Sequence, residues 1–357
     1  MESSEPLPAS SVPADLARYT RQVILPRVGV EGQRRLASSR VLVVGVGALG
    51  GALASSMVRA GVGFVRLVDR DDVEIGNLQR QSLYDEEDIV AGLPKAVTAA
   101  RKLARANSSV RIEAITADVS PRNIEALVGD CSLVLDGSDN FETRLLLNDA
   151  CLKHRVPWIY GAVIGTGGCT FTILPGDGPC FRCVISSLPA AGTVPTTETA
   201  GVLGMTPQAV SALQAAEAIK LLTGRRADLV RGMRFLDLWD GSFEELKVAK
   251  GPQPCPACDM ARYEYLDGAV SPGGTAGTKK IGRTSVQVDP GPGRAPDLAA
   301  LSRKLAGRGK VTCNGDLLRF ETSSGLVLVL FADGRAIVKG TGDEEAARAA
   351  YEQHFGS

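Results

Sequence analysis

Four of the eight cysteines form two Cys-x-x-Cys pairs, Cys180 with Cys183 and Cys255 with Cys258. Four thiolates at this spacing suit a tetrahedral zinc ion, and a shell of four cysteines leaves no open position for catalysis. The sequence therefore predicts a structural Zn²⁺ site that ties a loop to the end of its domain. A disulfide or a redox pair is the alternative, which the lack of an export signal disfavours.

A glycine-rich turn provides a second candidate site. Gly45, Gly47 and Gly50 lie in the segment Gly-Val-Gly-Ala-Leu-Gly, which follows an apolar strand and opens a helix near Ala48. Glycines allow backbone N–H groups to approach phosphates at the positive end of a helix. Asp69 ends the next strand, where an acid can accept hydrogen bonds from ribose hydroxyls. The pattern predicts a nucleotide site, with a glycine turn that binds no ligand as the alternative.

Charged residues downstream favour ATP over a dinucleotide. Asn77 and Arg80 lie in the polar segment Asn-Leu-Gln-Arg-Gln, and Lys95 stands at a helix start. A triphosphate needs such cations to balance its charge, whereas an NAD-dependent oxidoreductase, the alternative enzyme class, does not. Asp139 and Asn140 follow the fourth strand, at the carboxyl edge where open α/β sheets bind ligands. We expect Asp139 to hold Mg²⁺, although either residue could cap the helix that follows.

Strands and helices alternate around these residues. Apolar β-branched runs such as residues 40–46 alternate with helical segments such as residues 48–60. This alternation predicts a Rossmann-like, doubly wound and mostly parallel sheet. From Cys169 onward the pattern predicts antiparallel strands that extend the sheet. Residues 283–357 contain apolar strands and two helices of their own, which predicts a small C-terminal α+β domain.

The charge balance argues against several protein classes. Lysine plus arginine and aspartate plus glutamate each number 40, which disfavours direct nucleic-acid binding and membrane-surface binding. The apolar segment at residues 41–54 is too short and too glycine-rich to span a membrane. The start of the chain is not typical of a signal peptide, so we expect a cytoplasmic protein. Only two histidines occur, so chemistry that needs a histidine base is not expected.

Together these segments resemble the ThiF/MoeB/HesA family, bacterial relatives of ubiquitin-activating enzymes, with the pattern closest to its MoeB branch of molybdopterin-synthase adenylyltransferases. Arg21 lies in Arg-Tyr-Thr-Arg-Gln, which is similar to the family's N-terminal motif, and the resemblance extends over residues 17–266. It implies ATP-dependent adenylation of the C-terminal Gly-Gly carboxylate of a ubiquitin-like sulfur-carrier protein, with release of pyrophosphate. Such carriers serve molybdopterin or thiamin biosynthesis and related thiolation.

The resemblance also implies roles for individual residues. Arg21, Arg80, Lys95 and Asp139 are the expected catalytic residues, and Arg21 is expected to reach into the partner subunit's site, which implies a homodimer. A carboxylate is already a nucleophile at neutral pH, so positioning and charge neutralisation carry the reaction. The expected contacts to ATP and Mg²⁺ are Gly45, Gly47, Ala48, Gly50, Asp69, Asn77, Arg80, Lys95, Asp139 and Asn140.

Two departures from the family pattern concern sulfur chemistry. Many relatives carry a cysteine in the loop that corresponds to residues 196–201, and this loop has none. Residues 283–357 do not resemble the rhodanese domain of some relatives. We therefore expect the enzyme to stop at the acyl-adenylate and to rely on a separate sulfur donor. A catalytically silent nucleotide-binding scaffold is the remaining alternative, and the retained charged residues count against it.

Composition suggests how the chain is divided. We expect a disordered tail at residues 1–16, an adenylation domain at residues 17–267, a flexible linker at residues 268–282 and an accessory domain of unknown role at residues 283–357. The four cysteines outside the pairs lie among apolar segments, and we expect them to be buried small hydrophobic residues. They are Cys131, Cys151, Cys169 and Cys313.

Overall fold

The computed structural model describes residues 8–185, 196–268, 277–282, 285–290, 296–313, 317–331 and 334–356. The chain divides into two compact units, residues 1–269 and residues 270–357. No described helix combines the length and the apolar character that a membrane crossing requires.

The first unit contains one eight-stranded sheet. Its strands are β1 (Arg40–Val44), β2 (Phe64–Asp69), β3 (Arg111–Thr116), β4 (Leu133–Asp136), β5 (Trp158–Ile164), β6 (Gly167–Ile173), β7 (Met233–Asp237) and β8 (Ser242–Leu246). Their order is β3-β2-β1-β4-β5-β6-β7-β8. The first five are parallel and the last three antiparallel, which confirms the predicted doubly wound sheet and its extension.

Helices cover both faces of this sheet. They are α1 (Thr20–Val23), α2 (Gly29–Ser38), α3 (Ala48–Ala60), α4 (Glu86–Ala91), α5 (Lys95–Ala106), α6 (Ile124–Val128), α7 (Phe141–His154), α8 (Phe181–Val184), α9 (Thr197–Ala200) and α10 (Met205–Leu222). Side chains alternate across β1, so Val41 and Val43 join the core beneath α3 and α5. Leu42 and Val44 join the opposite core beneath α6 and α7. The continuous apolar strand predicted from the sequence is thus buried on both faces.

The second unit is a separate antiparallel sheet with two helices. Its strands are β9 (Gly277–Gly282), β10 (Ser285–Asp289), β11 (Gly309–Cys313), β12 (Leu317–Thr322), β13 (Val327–Phe331) and β14 (Ala336–Lys339), and its helices are α11 (Leu298–Leu305) and α12 (Glu344–Phe355). The strand order is β11-β12-β13-β14-β10-β9. Ala347 and Ala350 of α12 pack on Val286 and Leu328, which gives this unit its own apolar core.

Several local elements differ from the sequence-based expectation. Residues 277–282, expected within a linker, form an edge strand because antiparallel pairing with β10 compensates for their weak strand propensity. Residues 8–16, expected in the tail, include short 3₁₀ turns, and Leu16 is buried. Helix α2 was not predicted because two glycines lower its helix propensity, yet it buries Leu36.

Candidate functional site

The loop between β1 and α3 has the backbone that its glycines require. Gly45 adopts φ +78°, a left-handed conformation that favours glycine. A Cβ atom on Gly50 would lie 1.7 Å from the Gly45 carbonyl oxygen, so no side chain fits there. Beside Gly47 the nearest atom to such a Cβ is the Gln81 Nε2, at 3.6 Å. The glycines therefore keep side chains off the turn at the N-terminus of α3, which begins at Ala48, an arrangement that suits phosphate binding.

Asp69 lies beside this loop at the end of β2. Its Oδ2 accepts a hydrogen bond of 2.6 Å from the Val46 backbone N–H, and its Oδ1 accepts one of 2.8 Å from Asp71 N–H. Burial raises the pKa of Asp69 to about 6, although the Lys95 charge opposes that shift. Each carboxylate oxygen has a second lone pair, so Asp69 can still accept hydrogen bonds from ribose hydroxyls.

Lys95 is the buried cation of the site. Its side chain is 7% exposed, and its Nζ lies 3.2 Å from the Asp71 Oδ2. Burial alone would lower the Lys95 pKa, but the charges of Asp71, Asp69 and Asp139 raise it above its usual value. The ammonium is therefore held protonated among three carboxylates, at the edge of the sheet where β2 and β4 end.

Asp139 and Asn140 divide two roles between them. The Asn140 Oδ1 accepts a 2.8 Å hydrogen bond from Thr143 N–H and caps α7. Asp139 is exposed and accepts a hydrogen bond of 3.3 Å from the Asn140 Nδ2. Of the two residues the sequence offered as caps, Asn140 is the cap, so Asp139 keeps its carboxylate available for a cation.

Among the described residues, the side chains of Asn77 and Arg80 form hydrogen bonds only within their own loop. The Asn77 Oδ1 accepts a 3.1 Å hydrogen bond from Glu74 N–H, and the Arg80 Nη1 donates one of 2.7 Å to the Gly76 carbonyl. Arg21 is exposed on α1. Within the part of the chain that the structure describes, no hydrogen bond or ion pair joins Arg21 to the glycine loop between β1 and α3. Asp69, Lys95 and Asp139 thus form a group linked by their charges, whereas Arg21 and Arg80 stand apart from it.

The role of Gly137 was not predicted: it joins the loop after β4 to the glycine loop after β1. A Cβ atom on Gly137 would lie 2.7 Å from the Gly45 carbonyl oxygen and 2.7 Å from the Gly50 Cα. The end of β4 therefore packs backbone to backbone on the glycine loop. Its position in the sequence, directly after an apolar strand and two residues before Asp139, could have indicated this role. Tyr84 was also missed, and its hydroxyl donates to the Val46 carbonyl at 2.7 Å.

The four paired cysteines converge as their spacing predicted. Their sulfurs all lie within 4.8 Å of one another, with Cys180 3.7 Å from Cys255 and Cys183 3.6 Å from Cys258. A tetrahedron with metal–sulfur bonds of about 2.3 Å has edges of about 3.8 Å, so this cluster fits a metal ion. All four are free cysteines, which rules out the disulfide alternative in this structure. Phe181 N–H donates to the Asn148 Oδ1 at 2.9 Å and fixes the first pair on α7.

The remaining cysteines divide into two classes. Cys131 and Cys151 are buried as expected. Cys169 and Cys313 are only partly buried, so the expectation was wrong for them. Cys169 lies on β6 and Cys313 on β11, and each packs only partly against the apolar core of its own unit. Within the described residues 196–201, α9 brings no thiol to the loop before α10.

Residues 19–257 match the sequence profile of the ThiF family. The chain belongs to the ThiF family. It is 38% identical over 340 residues to the "Sulfur carrier protein ThiS adenylyltransferase" of Bacillus subtilis (strain 168). That alignment covers 95% of this chain and 99% of the relative. The chain is 42% identical over 252 residues to the "SAMP-activating enzyme E1" of Haloferax volcanii, covering 71% of this chain and 92% of the relative.

A crystal structure of E. coli MccB with ATP has the same fold in its larger part. It superimposes with a TM-score of 0.59 at 20% identity and covers 69% of this chain and 77% of that chain. At this level of identity the likeness concerns the fold alone. The sequence resemblance to the ThiF/MoeB/HesA family is thereby confirmed by family, by relatives and by fold.

Proposed function

We propose that this protein uses ATP to adenylate the C-terminal glycine carboxylate of a ubiquitin-like sulfur-carrier protein. The observation that carries the proposal is the buried Lys95 held beside Asp69 and Asp139 in front of a glycine loop built to admit phosphates. The relatives named for acting on sulfur carriers supply the substrate class. A cation here favours ATP over NAD, because a triphosphate carries more negative charge than the pyrophosphate of a dinucleotide.

The reaction follows from the charges of these residues. The carrier's carboxylate attacks the α-phosphate of ATP, the bond to the β-phosphate oxygen breaks, and pyrophosphate leaves with its electron pair. Lys95, Arg80 and Asn77 would hold the triphosphate and neutralise its developing charge. Mg²⁺, when bound, would neutralise charge on the leaving pyrophosphate, and Asp139 would hold it. No general base is needed, because the nucleophile is already an anion.

The carrier we favour is of the ThiS type. The Bacillus subtilis relative aligns over 95% of this chain, and its alignment therefore extends into the second unit. The relatives named "Adenylyltransferase and sulfurtransferase MOCS3" from Drosophila willistoni and Sus scrofa align over only 71% and 72% of this chain. This difference favours a thiamin-type carrier over a molybdopterin-type carrier. Because no cysteine lies in residues 196–201, a separate donor would supply the sulfur.

We propose that the four-cysteine cluster holds a structural Zn²⁺ ion. Four sulfurs at tetrahedral spacing leave no position for substrate, and Cys180 and Cys255 are buried. The ion would join α8 to residues 255–258, near the end of the first unit. This placement assigns the metal to folding and not to the adenylation chemistry.

A homodimer would complete the site through Arg21. Arg21 is exposed on α1, and among the described residues it makes no hydrogen bond or ion pair with the glycine loop of its own chain. Mixing Arg21→Ala subunits with Asp139→Ala subunits would place one intact site in each mixed dimer. Recovery of activity is expected, and its absence after demonstrated subunit exchange would remove Arg21 from the partner's site.

The decisive experiment is ATP–pyrophosphate exchange with a purified carrier ending in Gly-Gly. We expect labelled pyrophosphate to enter ATP only when the carrier is present. The control is the same carrier without its last glycine, which should support no exchange. Exchange that is independent of the carrier, or none with carriers of both the ThiS and the molybdopterin type, would contradict the proposal.

A further inference from the structure

A buried ion pair lies directly behind the loop that carries Asp139. The Arg144 Nε is 3.2 Å from the Asp136 Oδ2, and the two side chains are 6% and 0% exposed. Burying two charges costs about as much free energy as their attraction returns, so such a pair is weak support for stability. The contacts of the pair indicate another role.

Arg144 holds the backbone on both sides of the loop. Its Nη2 donates to the Ser138 carbonyl at 2.8 Å and to the Gly161 carbonyl at 3.2 Å. Its guanidinium carbon lies 5.2 Å from the centre of the Tyr160 ring, which limits how the group can turn. One side chain of α7 thus ties the end of β4 to the middle of β5.

Asp136 holds the same loop from its other side. Its Oδ1 accepts hydrogen bonds from Ser138 N–H at 2.9 Å and from the Ser138 hydroxyl at 2.6 Å. Both peptide groups of Ser138 are therefore fixed, one by Asp136 and one by Arg144. Asp139 is the next residue, so its exposed carboxylate stands on a backbone that this pair determines.

We propose that Arg144, with Asp136, is a positioning residue that orients Asp139 for the metal–nucleotide complex. The inference rests on the proposed adenylation function. Because Arg144 is buried behind the loop, it would act through the Ser138 backbone and not by contact with substrate. A lysine cannot replace it, because its single ammonium group cannot donate to a carboxylate and two carbonyls at once, as the planar guanidinium group does.

The test is Arg144→Lys, which keeps the positive charge and removes the planar set of guanidinium donors. The matched control is Arg234→Lys, because Arg234 on β7 is also largely buried and lies 3.2 Å from the buried Glu217, far in sequence from the Asp139 loop. Each protein is titrated with Mn²⁺ in the presence of a non-hydrolysable ATP analogue and followed by electron paramagnetic resonance. Adenosine affinity and melting temperature are measured in parallel.

We expect Arg144→Lys to weaken Mn²⁺ binding about tenfold, as the loss of a hydrogen bond to a charged group implies. Adenosine affinity should stay unchanged, and Arg234→Lys should alter only the melting temperature. Equal Mn²⁺ affinity in Arg144→Lys and the wild type would overturn the proposal. If Arg144→Lys does not fold, Ser138→Ala should weaken Mn²⁺ binding in the same direction, and unchanged binding there would equally overturn it. A wild type that binds the Mn²⁺–nucleotide complex but exchanges no pyrophosphate would instead contradict the proposed function.

Discussion

At the carboxyl edge of the parallel strands, three glycines from two strand ends and one helix meet backbone to backbone, whereas in the four-cysteine cluster side-chain sulfurs meet. Gly45, Gly50 and Gly137 approach so closely that the fold itself fixes both loops. The cysteines lie on two segments separated by more than 70 residues. An ion pair between Arg182 and Glu264 also joins these segments, and both pack into the core beneath α7. The first site is therefore organised by backbone contacts, while the second brings four thiols together without such contacts, so we expect a bound metal ion to stabilise it.

The largest effect on activity should follow from Asp139→Asn. This change removes the negative charge but keeps the size of the side chain and leaves the Asn140 cap intact. Exchange of pyrophosphate into ATP should fall by about 10²–10³-fold, as for the loss of one preorganised charge contact. The melting temperature should not change, because the fold and not the ligand organises this edge. A large loss of stability in Asp139→Asn would contradict the proposed difference between this edge and the four-cysteine cluster.

The opposite pattern is expected at the cysteine cluster. Cys180→Ser should release the metal and lower the free energy of unfolding by about 3 kcal/mol or more, which is about 6–12 °C in Tm for a unit of this size. Zinc content is measured by elemental analysis and stability by calorimetry. Cys313→Ser, in the second unit, is the control and should keep about one zinc per chain. A metal-free wild type of full stability would show that the cluster needs no ion.

A smaller effect is expected from the titration of Asp69. Its pKa of about 6 means that the carboxyl group is neutral below pH 6 and charged above it. Because the anion is the better acceptor for ribose hydroxyls, adenosine affinity should be about tenfold weaker at pH 5 than at pH 7. Adenosine is chosen because a phosphate monoester itself titrates near a pH of about 6. Asp69→Asn should bind weakly at both pH values, and a wild type without pH dependence would contradict this role.

The smallest effect is expected at the unpaired cysteines. Burial raises the pKa of Cys169, which makes its thiol a poor nucleophile at neutral pH. The variants Cys169→Ser and Cys313→Ser should keep exchange activity within about twofold of the wild type, a difference below 0.5 kcal/mol. Mass spectrometry after incubation with ATP and carrier should find no adduct. A carrier–enzyme species that dithiothreitol removes, mapped to either cysteine, would sink the idea that the enzyme stops at the acyl-adenylate.

The helices and strands that position the site were largely predictable, because their patterns are local. The helical segment predicted at residues 48–60 matches α3, which ends at its C-cap residue Gly61, and Lys95 begins α5 as predicted. The four cysteines were predictable as a set, since their chemistry demands that they meet. The link between the glycine loop and Gly137 was not, because a close backbone approach leaves no pattern except the absence of a side chain.

Other parts of the site depend on partners that the sequence does not identify. Lys95 was expected to balance the charge of a triphosphate, but its burial and its ion pair with Asp71 were not predicted. Arg144 lies in an ordinary helical segment, and its charge there is typical of a solvated face. Only the buried Asp136, on a neighbouring strand end, shows why an arginine is required at that point.

The contact among Gly45, Gly50 and Gly137 has a consequence for mutational tolerance. No single substitution at any of the three adds even a methyl group without meeting backbone atoms, which cannot move as a side chain can. A compensating change would have to shift two strands and a helix together. This corner of the molecule is thus closed to gradual variation, and new specificities in descendants of this sequence must arise in the loops around it.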